Sequence, residues 1–188
     1  GLTQTEIMDE ADIIIVNTCS IRGGAEEKAL ARIAGMRHYK KKNPNLKIAV
    51  IGCMAQNQGG DIIKDLEHVD YVVGPDNYKS FEKQLFSENN PAPSKVLTNV
   101  DDFENYKGIL AKVDSKISTH ITIMRGCNKK CSYCIVPFVR GKERSRDPLE
   151  IEEEVRKAVK EGLPEVVLLG QTVNSYRIKL DSHLETFA

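Results

Sequence analysis

The sequence lacks tryptophan, any excess of charge of one sign and any long apolar run. Lys and Arg together number 27, as do Asp and Glu, so the charge of the whole chain indicates no particular partner. Apolar runs such as residues 13–16 are far shorter than the roughly 20 residues that a membrane-spanning helix needs, which predicts no membrane partner. The N-terminus has no basic segment followed by an apolar one, which is the pattern of a secretory signal. We therefore expect a cytoplasmic protein.

Cysteine is the residue type that the chain does offer for chemistry. There are five cysteines, an odd number, and in the absence of an export signal we expect reduced thiols rather than a disulfide framework. Hydrophobic residues make up 40% of the chain and charged residues 29%, which is typical of a folded globular protein. The positions of the cysteines are therefore the main guide to function.

Strand and helix patterns alternate through residues 1–87. Short β-branched runs predict strands, and stretches rich in Ala, Glu, Lys and Leu with apolar residues three to four apart predict helices. The predicted strands are 12–17, 46–51 and 70–73, and the predicted helices are 25–42, 61–67 and 77–86. This alternation predicts an α/β fold with a small parallel sheet.

The segment 88–118 is polar and proline-bearing and predicts an interdomain linker, with one short strand near residues 95–97. A second α/β domain is predicted over residues 119–188. It comprises a strand at 120–124, a cysteine-rich loop at 125–146, a helix at 147–161 and a strand at 165–170. Asp147 and Pro148 predict the helix start, and Ile151, Val155, Ala158 and Val159 are expected on its inner face.

Three of the cysteines lie within eight residues, with the spacing C-x3-C-x2-C: Cys127, Cys131 and Cys134. One loop can wrap three such thiols around a single metal centre, and three thiolates can hold three irons of a cubane cluster while leaving the fourth iron open. Zinc is the alternative, although zinc prefers four ligands and no fourth Cys or His lies close in the sequence. Unrelated thiols are a weaker alternative, because buried cysteines do not cluster in a polar loop.

Cys19 and Cys53 each follow a predicted parallel strand directly. The carboxyl ends of neighbouring parallel strands lie at one edge of a sheet, where open α/β folds bind ligands, so these two thiols could meet. The alternative is that each of these cysteines is simply a small apolar residue buried in the core.

The cysteine loop resembles that of the radical S-adenosylmethionine (radical SAM) enzymes, and its flanks narrow the resemblance. Residues 123–126 and 135–146 closely resemble the methylthiotransferase branch of that superfamily. Three further segments agree with the same family: 16–22 (VNTCSIR), 51–56 (IGCMAQ) and 170–176 (GQTVNSY). Because these segments occur in the same order as in the family, the resemblance is more specific than the cysteine spacing alone would make it.

The resemblance implies two 4Fe–4S clusters and S-adenosylmethionine as cofactors. Cys127, Cys131 and Cys134 would hold the cluster whose open iron binds S-adenosylmethionine, with Tyr133 near the adenine and Gly170 and Gln171 near the methionine moiety. Cys19 and Cys53 would be ligands of an auxiliary cluster, with a third ligand expected before residue 1.

The implied fold is the family's N-terminal methylthiotransferase domain followed by the first β-α-β unit of a truncated radical SAM partial β/α barrel. Residues 177–188 resemble nothing in the family, and the chain is expected to be an incomplete and inactive fragment.

Residues 125–146 contain seven Lys and Arg against one Glu, which suits an RNA backbone. The predicted RNA contacts are Arg140, Lys142, Arg144 and Arg146. On charge alone, an equal alternative is that these cations are solvated or offset the charge of a cluster.

Within the family, the motifs resemble the branch that methylthiolates C2 of N6-isopentenyladenosine next to the tRNA anticodon. That resemblance implies the tRNA anticodon stem-loop and a flavodoxin-type electron donor as partners. Threonylcarbamoyl-adenosine in tRNA or a ribosomal protein are alternative substrates within the family. A non-catalytic iron–sulfur or zinc-binding module is the alternative of another class, and a nonfunctional fragment is a third possibility.

Overall fold

The computed structural model describes residues 2–20, 23–86, 95–104, 106, 115–180 and 183–186. The chain divides into two compact units, residues 1–100 and 101–188. The predicted domain limits, 1–87, 88–118 and 119–188, remain a prediction.

The first unit is built on a four-stranded parallel sheet with the order β1-β2-β3-β4. Its strands are β1 (Ile13–Thr18), β2 (Lys47–Gly52), β3 (Tyr71–Val73) and β4 (Val96–Leu97). Its helices are α1 (Gly23–Gly35), α2 (Arg37–Lys42), α3 (Cys53–Gln58), α4 (Gly60–Asp65) and α5 (Tyr78–Leu85), with 3-10 turns at Met8–Glu10 and Pro75–Asn77. The parallel α/β prediction is confirmed.

Apolar side chains cover both faces of this sheet, because successive residues of a strand point to opposite faces. On β2, Ile48 and Val50 pack into one cluster with Ile33 of α1 and Ile62 of α4. The residue between them, Ala49, packs on the other face; its cluster also contains Tyr71, Val73, Phe81 and Leu97. Strands β2 and β3 are therefore buried between helices, whereas Ile15 on β1 is 47% exposed.

Three details of this unit differ from the sequence prediction. The helix predicted at 25–42 is two helices, because the chain turns at Met36 and its amide donates to the carbonyl of Ile33. The helix α3 was not predicted, since six residues carry little periodicity. The strand predicted near residues 95–97 is confirmed as β4, but its pairing with β3, which completes the sheet, was not predicted.

The second unit contains the predicted β-α-β arrangement. Strands β5 (Ser118–Thr122) and β8 (Glu165–Leu169) pair in parallel, and helix α7 (Pro148–Lys160) connects them. The Asp147 side chain accepts a hydrogen bond from the Leu149 amide at 2.9 Å, which confirms the predicted cap. Ala158 is buried, whereas Val159 is 63% exposed, so its predicted inward position is wrong.

Regular structure also occurs inside the predicted cysteine loop. Two short strands, β6 (Met124–Arg125) and β7 (Arg144–Ser145), pair antiparallel, and helix α6 (Val136–Arg140) lies between them. Towards the C-terminus, a 3-10 turn (Val173–Ser175) precedes the antiparallel strands β9 (Arg177–Leu180) and β10 (His183–Thr186). No helix in the described ranges is long and apolar enough to cross a membrane.

Candidate metal centre

The cysteine loop is closed at its base by backbone pairing. Strands β6 and β7 place Arg125 opposite Arg144, and the Cys127 amide donates to the Gly141 carbonyl at 3.1 Å. The β5–β8 pairing continues into the loop, because the Ile123 amide donates to the Leu169 carbonyl at 2.9 Å. The three thiols therefore lie on a loop that leaves the carboxyl end of β5 and is closed at its base by backbone hydrogen bonds.

Gly126 is required by this closure. Its φ is +74°, in the left-handed region that favours glycine, and a Cβ there would overlap the backbone carbonyl of Lys142. Glycine is needed at position 126 because the two chain segments approach too closely there for a side chain.

Asn128 and Glu143 join the two sides of the loop further out. The Glu143 amide donates to Asn128 Oδ1 at 3.1 Å, and the Asn128 amide donates to Glu143 Oε1 at 3.3 Å. This pairing was not predicted, although Glu143 is the single acidic residue in a basic loop and stands out for that reason.

The three thiols differ in exposure. Cys127 is buried, Cys134 is half-buried and Cys131 is exposed, and all three are reduced. The Lys129 amide donates to Cys127 Sγ at 3.4 Å, and the Cys134 amide donates to the Cys131 carbonyl at 3.0 Å, which turns the backbone between the last two thiols.

The three thiols of the loop are the type of ligand that an iron–sulfur cluster requires. Thiolates are the usual protein ligands of such clusters, and amide donation to a ligand sulfur is one of the contacts that tune them. In the described part of the chain, no group of three or more His, Cys, Asp or Glu side chains is already arranged around a metal position. The fit therefore rests on the donors, their common loop and the amide–sulfur contact.

The segment that follows β8 packs directly against the start of the loop. A Cβ on Gly170 would overlap Met124, Gln171 Oε1 accepts from the Gly126 amide at 2.7 Å, and Thr172 Oγ1 lies 3.4 Å from Cys127 Sγ. Gly170 and Gln171 were expected near the methionine moiety of S-adenosylmethionine, and that role stays a prediction. Thr172 is not among the residues predicted from the sequence, and only its place next to Gln171 in the GQT run pointed to it.

Two of the predicted RNA-binding arginines are buried and serve the fold. Arg144 donates to the backbone carbonyls of Asp101 and Arg140. Arg146 donates to the Thr122 carbonyl at 2.8 Å, and its guanidinium pairs with Glu154 at 2.5 Å. Their charge is used inside the unit, so the expected surface role of these two residues is corrected.

The other two predicted RNA contacts, Arg140 and Lys142, are more accessible to solvent than Arg144 and Arg146. Arg140 is half-buried, whereas Lys142 is exposed and lies 3.5 Å from Asp102. Lys129 and Lys130 are exposed in the same loop, and Tyr133 is 91% exposed. The positive charge that the loop presents to solvent therefore comes mainly from its lysines.

A further arginine of the loop, Arg125, is fully buried. Its guanidinium lies 3.6 Å from the centre of the Tyr106 ring, and it donates to the Glu104 carbonyl at 3.2 Å. Together with Arg144, which binds the Asp101 carbonyl, it ties Asp101, Glu104 and Tyr106 to the base of the loop.

In the first unit, Cys19 and Cys53 lie at one edge of the sheet. The last pair in the β1–β2 register is Thr18 with Gly52, and each cysteine directly follows the end of its strand. Cys53 is buried and Cys19 is exposed. The prediction that parallel strands bring these two positions to the same edge is confirmed, while their role as metal ligands stays a prediction.

Two neighbours shape this edge and were not predicted. The Thr18 hydroxyl donates to the Ile51 carbonyl at 2.6 Å. Gly52 has a φ of +100°, and a Cβ there would overlap the Thr18 carbonyl. A glycine at the end of a buried strand is the sequence signal of such a close approach.

Each of the two units contains a match to a known protein family. Residues 1–74 match the family described as uncharacterized protein family UPF0004, and residues 121–186 match the radical SAM superfamily. Curated relatives that align over nearly the whole chain carry the name tRNA-2-methylthio-N(6)-dimethylallyladenosine synthase. Both units of the chain are therefore similar to proteins of the radical SAM methylthiotransferase family.

Three relatives from different bacteria illustrate the similarity. The protein of Clostridium novyi (strain NT) is 42% identical over 94% of this chain and 39% of its own length. That of Azobacteroides pseudotrichonymphae is 45% identical over 95% of this chain and 40% of its own length. The protein of Phocaeicola vulgatus is 43% identical over 100% of this chain and 41% of its own length. The chain spans about two fifths of the length of these relatives.

The comparison corrects one expectation about the C-terminal end. Residues 177–188 were expected to resemble nothing in the family, but the radical SAM match extends to residue 186. Strand β9 and the backbone of β10 therefore lie within the matched region.

Proposed function

We propose that this chain carries the cluster-binding part of a tRNA methylthiotransferase that modifies C2 of N6-isopentenyladenosine next to the anticodon. The observation that carries the proposal is the closed three-cysteine loop at the carboxyl end of β5, in a chain similar to proteins of the radical SAM methylthiotransferase family. The tRNA substrate is supported by the names of relatives that are 39–45% identical to the chain.

In this proposal Cys127, Cys131 and Cys134 hold a 4Fe–4S cluster. Such a cluster, with its open iron available to S-adenosylmethionine, would supply the one-electron reduction on which radical SAM chemistry depends. Gly126 lets the loop close beneath the first thiol, and the Lys129 amide donates to that sulfur. The exposed ring of Tyr133, next to Cys134, is available to the adenine of the cofactor.

The proposed sulfur-donating centre is an auxiliary 4Fe–4S cluster in the first unit. Cys19 and Cys53 would supply two of its ligands from the shared edge of β1 and β2. The close packing of Gly52 on Thr18 keeps the two strand ends together, so the positions of these thiols are set by the sheet rather than by a flexible loop.

The proposed partners are a tRNA anticodon stem-loop and a flavodoxin-type one-electron donor, in the cytoplasm. Lys129, Lys130 and Lys142 are exposed on the cysteine loop and suit a phosphate backbone. Arg140 is retained as a proposed contact, whereas the buried Arg144 and Arg146 are not.

Binding of S-adenosylmethionine tests this proposal. The chain is reconstituted with iron and sulfide without oxygen, reduced with dithionite and examined by electron paramagnetic resonance. Adding S-adenosylmethionine is expected to change the cluster spectrum, because its amino and carboxylate groups would chelate the open iron. A stem-loop RNA that contains N6-isopentenyladenosine is then added to the same sample, and tight binding of this RNA over its unmodified form is expected.

The exposed Ser132, which lies between two of the thiols, offers a matched control. Ser132→Ala is expected to keep the response to S-adenosylmethionine, and Cys131→Ala is expected to lose it. A cluster whose spectrum ignores S-adenosylmethionine would point to a non-catalytic iron–sulfur module, and stoichiometric zinc with no cluster would point to a zinc site.

A further inference from the structure

In the part of the chain that the structure describes, the Thr172 hydroxyl is one of two groups within hydrogen-bond distance of the Cys127 sulfur. Thr172 Oγ1 lies 3.4 Å from Cys127 Sγ, and the Lys129 amide donates to the same sulfur, also at 3.4 Å. Among the described residues, no hydrogen bond reaches the sulfurs of Cys131 or Cys134. The first thiol of the loop therefore has a hydrogen-bonding environment that the other two do not share.

The protonation state decides which atom donates in the Thr172–Cys127 contact. A neutral thiol could donate weakly to the hydroxyl, but a metal-bound thiolate has no proton to give. When Cys127 is a thiolate, the Thr172 hydroxyl is the only possible donor in this contact. A donor aimed at a ligand sulfur stabilises the state of a cluster that carries more negative charge.

The position of Thr172 is determined by its neighbours on both sides. Gly170 lies so close to Met124 that a side chain would not fit, and Gln171 Oε1 accepts from the Gly126 amide at 2.7 Å. After Thr172 the chain enters the 3-10 turn Val173–Ser175, in which the Ser175 amide donates to the Thr172 carbonyl at 2.7 Å. Residues 170–172 thus pack in order against Met124, Gly126 and Cys127 at the start of the cysteine loop. These contacts fix the backbone of Thr172 and place its hydroxyl next to the Cys127 sulfur.

We infer that Thr172 is a positioning residue that acts through Cys127 and raises the reduction potential of the cluster held by the loop. The inference rests on the proposed function, because it requires that cluster. On reduction by a one-electron donor, dithionite in the laboratory, the cluster gains one electron and no bond of the protein changes. The added negative charge strengthens the hydrogen bond from Thr172, so the reduced state gains more from it than the oxidised state does.

A pair of substitutions separates the hydroxyl from the shape of the side chain. Thr172→Val keeps the branched shape and removes the donor, whereas Thr172→Ser keeps the donor. Both are made in the 188-residue chain with Cys19→Ala and Cys53→Ala, so that iron bound by the first unit does not contribute. The readouts are iron content per chain and the midpoint potential from a redox titration followed by electron paramagnetic resonance.

Thr172→Val is expected to bind iron normally and to lower the ratio of reduced to oxidised cluster at a fixed potential. The expected fall is up to about tenfold, and tenfold corresponds to about 59 mV for a one-electron couple. Thr172→Ser should keep the potential of the parent chain. Loss of iron by Thr172→Val alone, with an unchanged thermal unfolding curve, would contradict the inference, because the hydroxyl would then retain the cluster rather than tune its potential.

Equal potentials in the parent chain and in Thr172→Val would overturn the inference while leaving the proposed function intact. A shift in Thr172→Ser as large as that in Thr172→Val would also overturn it, because the hydroxyl would then not be the cause. A parent chain that takes up no iron contradicts the proposed function itself, and the inference fails with it.

Discussion

Gly126 is the residue on which closure of the cysteine loop depends most directly. Its left-handed backbone and its approach to the Lys142 carbonyl are separate constraints. A left-handed conformation costs an ordinary residue about 1–2 kcal/mol, and overlap with a backbone carbonyl adds the cost of moving the chain. The two contributions can be separated by comparison with Gly162, which has a φ of +80° but open space around its Cβ position.

Gly126→Ala is expected to destabilise the second unit by about 3 kcal/mol or more and to abolish iron uptake by the loop. Gly162→Ala should cost only about 1–2 kcal/mol, the conformational part, and leave iron uptake unchanged. Calorimetric unfolding and iron analysis of the two variants measure these effects. Equal destabilisation by both substitutions would mean that the close approach to Lys142 is unimportant.

The sequence alone was informative about residues whose chemistry is local. The spacing of Cys127, Cys131 and Cys134 places them on one loop without any knowledge of the fold. The surroundings of Arg144 and Arg146 could not be read in the same way, because formal charge does not distinguish a solvated arginine from a buried one. Both bind backbone carbonyls that are distant in sequence, and such partners exist only once the chain has folded.

Among the secondary-structure elements, Asp70 joins three that the sequence shows as separate. Its carboxylate accepts from Lys40 Nζ on α2 at 2.6 Å and from the Ile48 amide on β2 at 2.8 Å, and Asp70 itself directly precedes β3. The Lys40 and Asp70 side chains are each 21% exposed. A partly buried carboxylate with two donors is expected to matter more than an ion pair in solvent.

Asp70→Ala is expected to lower the opening free energy of β2 and β3 by about 2–3 kcal/mol, because it leaves Lys40 and the Ile48 amide without this acceptor. Hydrogen exchange of peptides covering these strands measures the loss locally, which suits a chain with two units. Asp9 is the matched control. Its hydrogen bond and charge raise the pKa of Lys42, but that pair is solvent-exposed, so Asp9→Ala should leave exchange unchanged. A comparable effect from both substitutions would contradict the role assigned to Asp70.

Prediction of the elements succeeded where periodicity extended over enough residues. The strand β2 and the helix α7 with its Asp147 cap have clear patterns and appear where expected. The paired strands β6 and β7 have two residues each, which is too short to show alternation, and their pairing depends on the path of the loop between them. The turn at Met36 was missed although Gly35, a poor helix former, directly precedes it.

In the whole molecule, the cysteines of both units occupy equivalent places. Cys19 and Cys53 follow β1 and β2, and the three-cysteine loop follows β5, so in each unit the thiols lie beyond the carboxyl ends of parallel strands. Open α/β folds bind ligands at this edge. Alternating strands and helices were enough to predict that placement, whereas the hydrogen bonds to Cys127 required the structure.

Counting iron tests the central claim, that the loop of Cys127, Cys131 and Cys134 holds a 4Fe–4S cluster, most directly. The chain with Cys19→Ala and Cys53→Ala is reconstituted without oxygen and analysed for iron, sulfide and zinc. We expect about four irons per chain, and loss of nearly all of this iron when Cys127→Ala is added. Iron that survives Cys127→Ala unchanged, or zinc in place of iron, would contradict the claim.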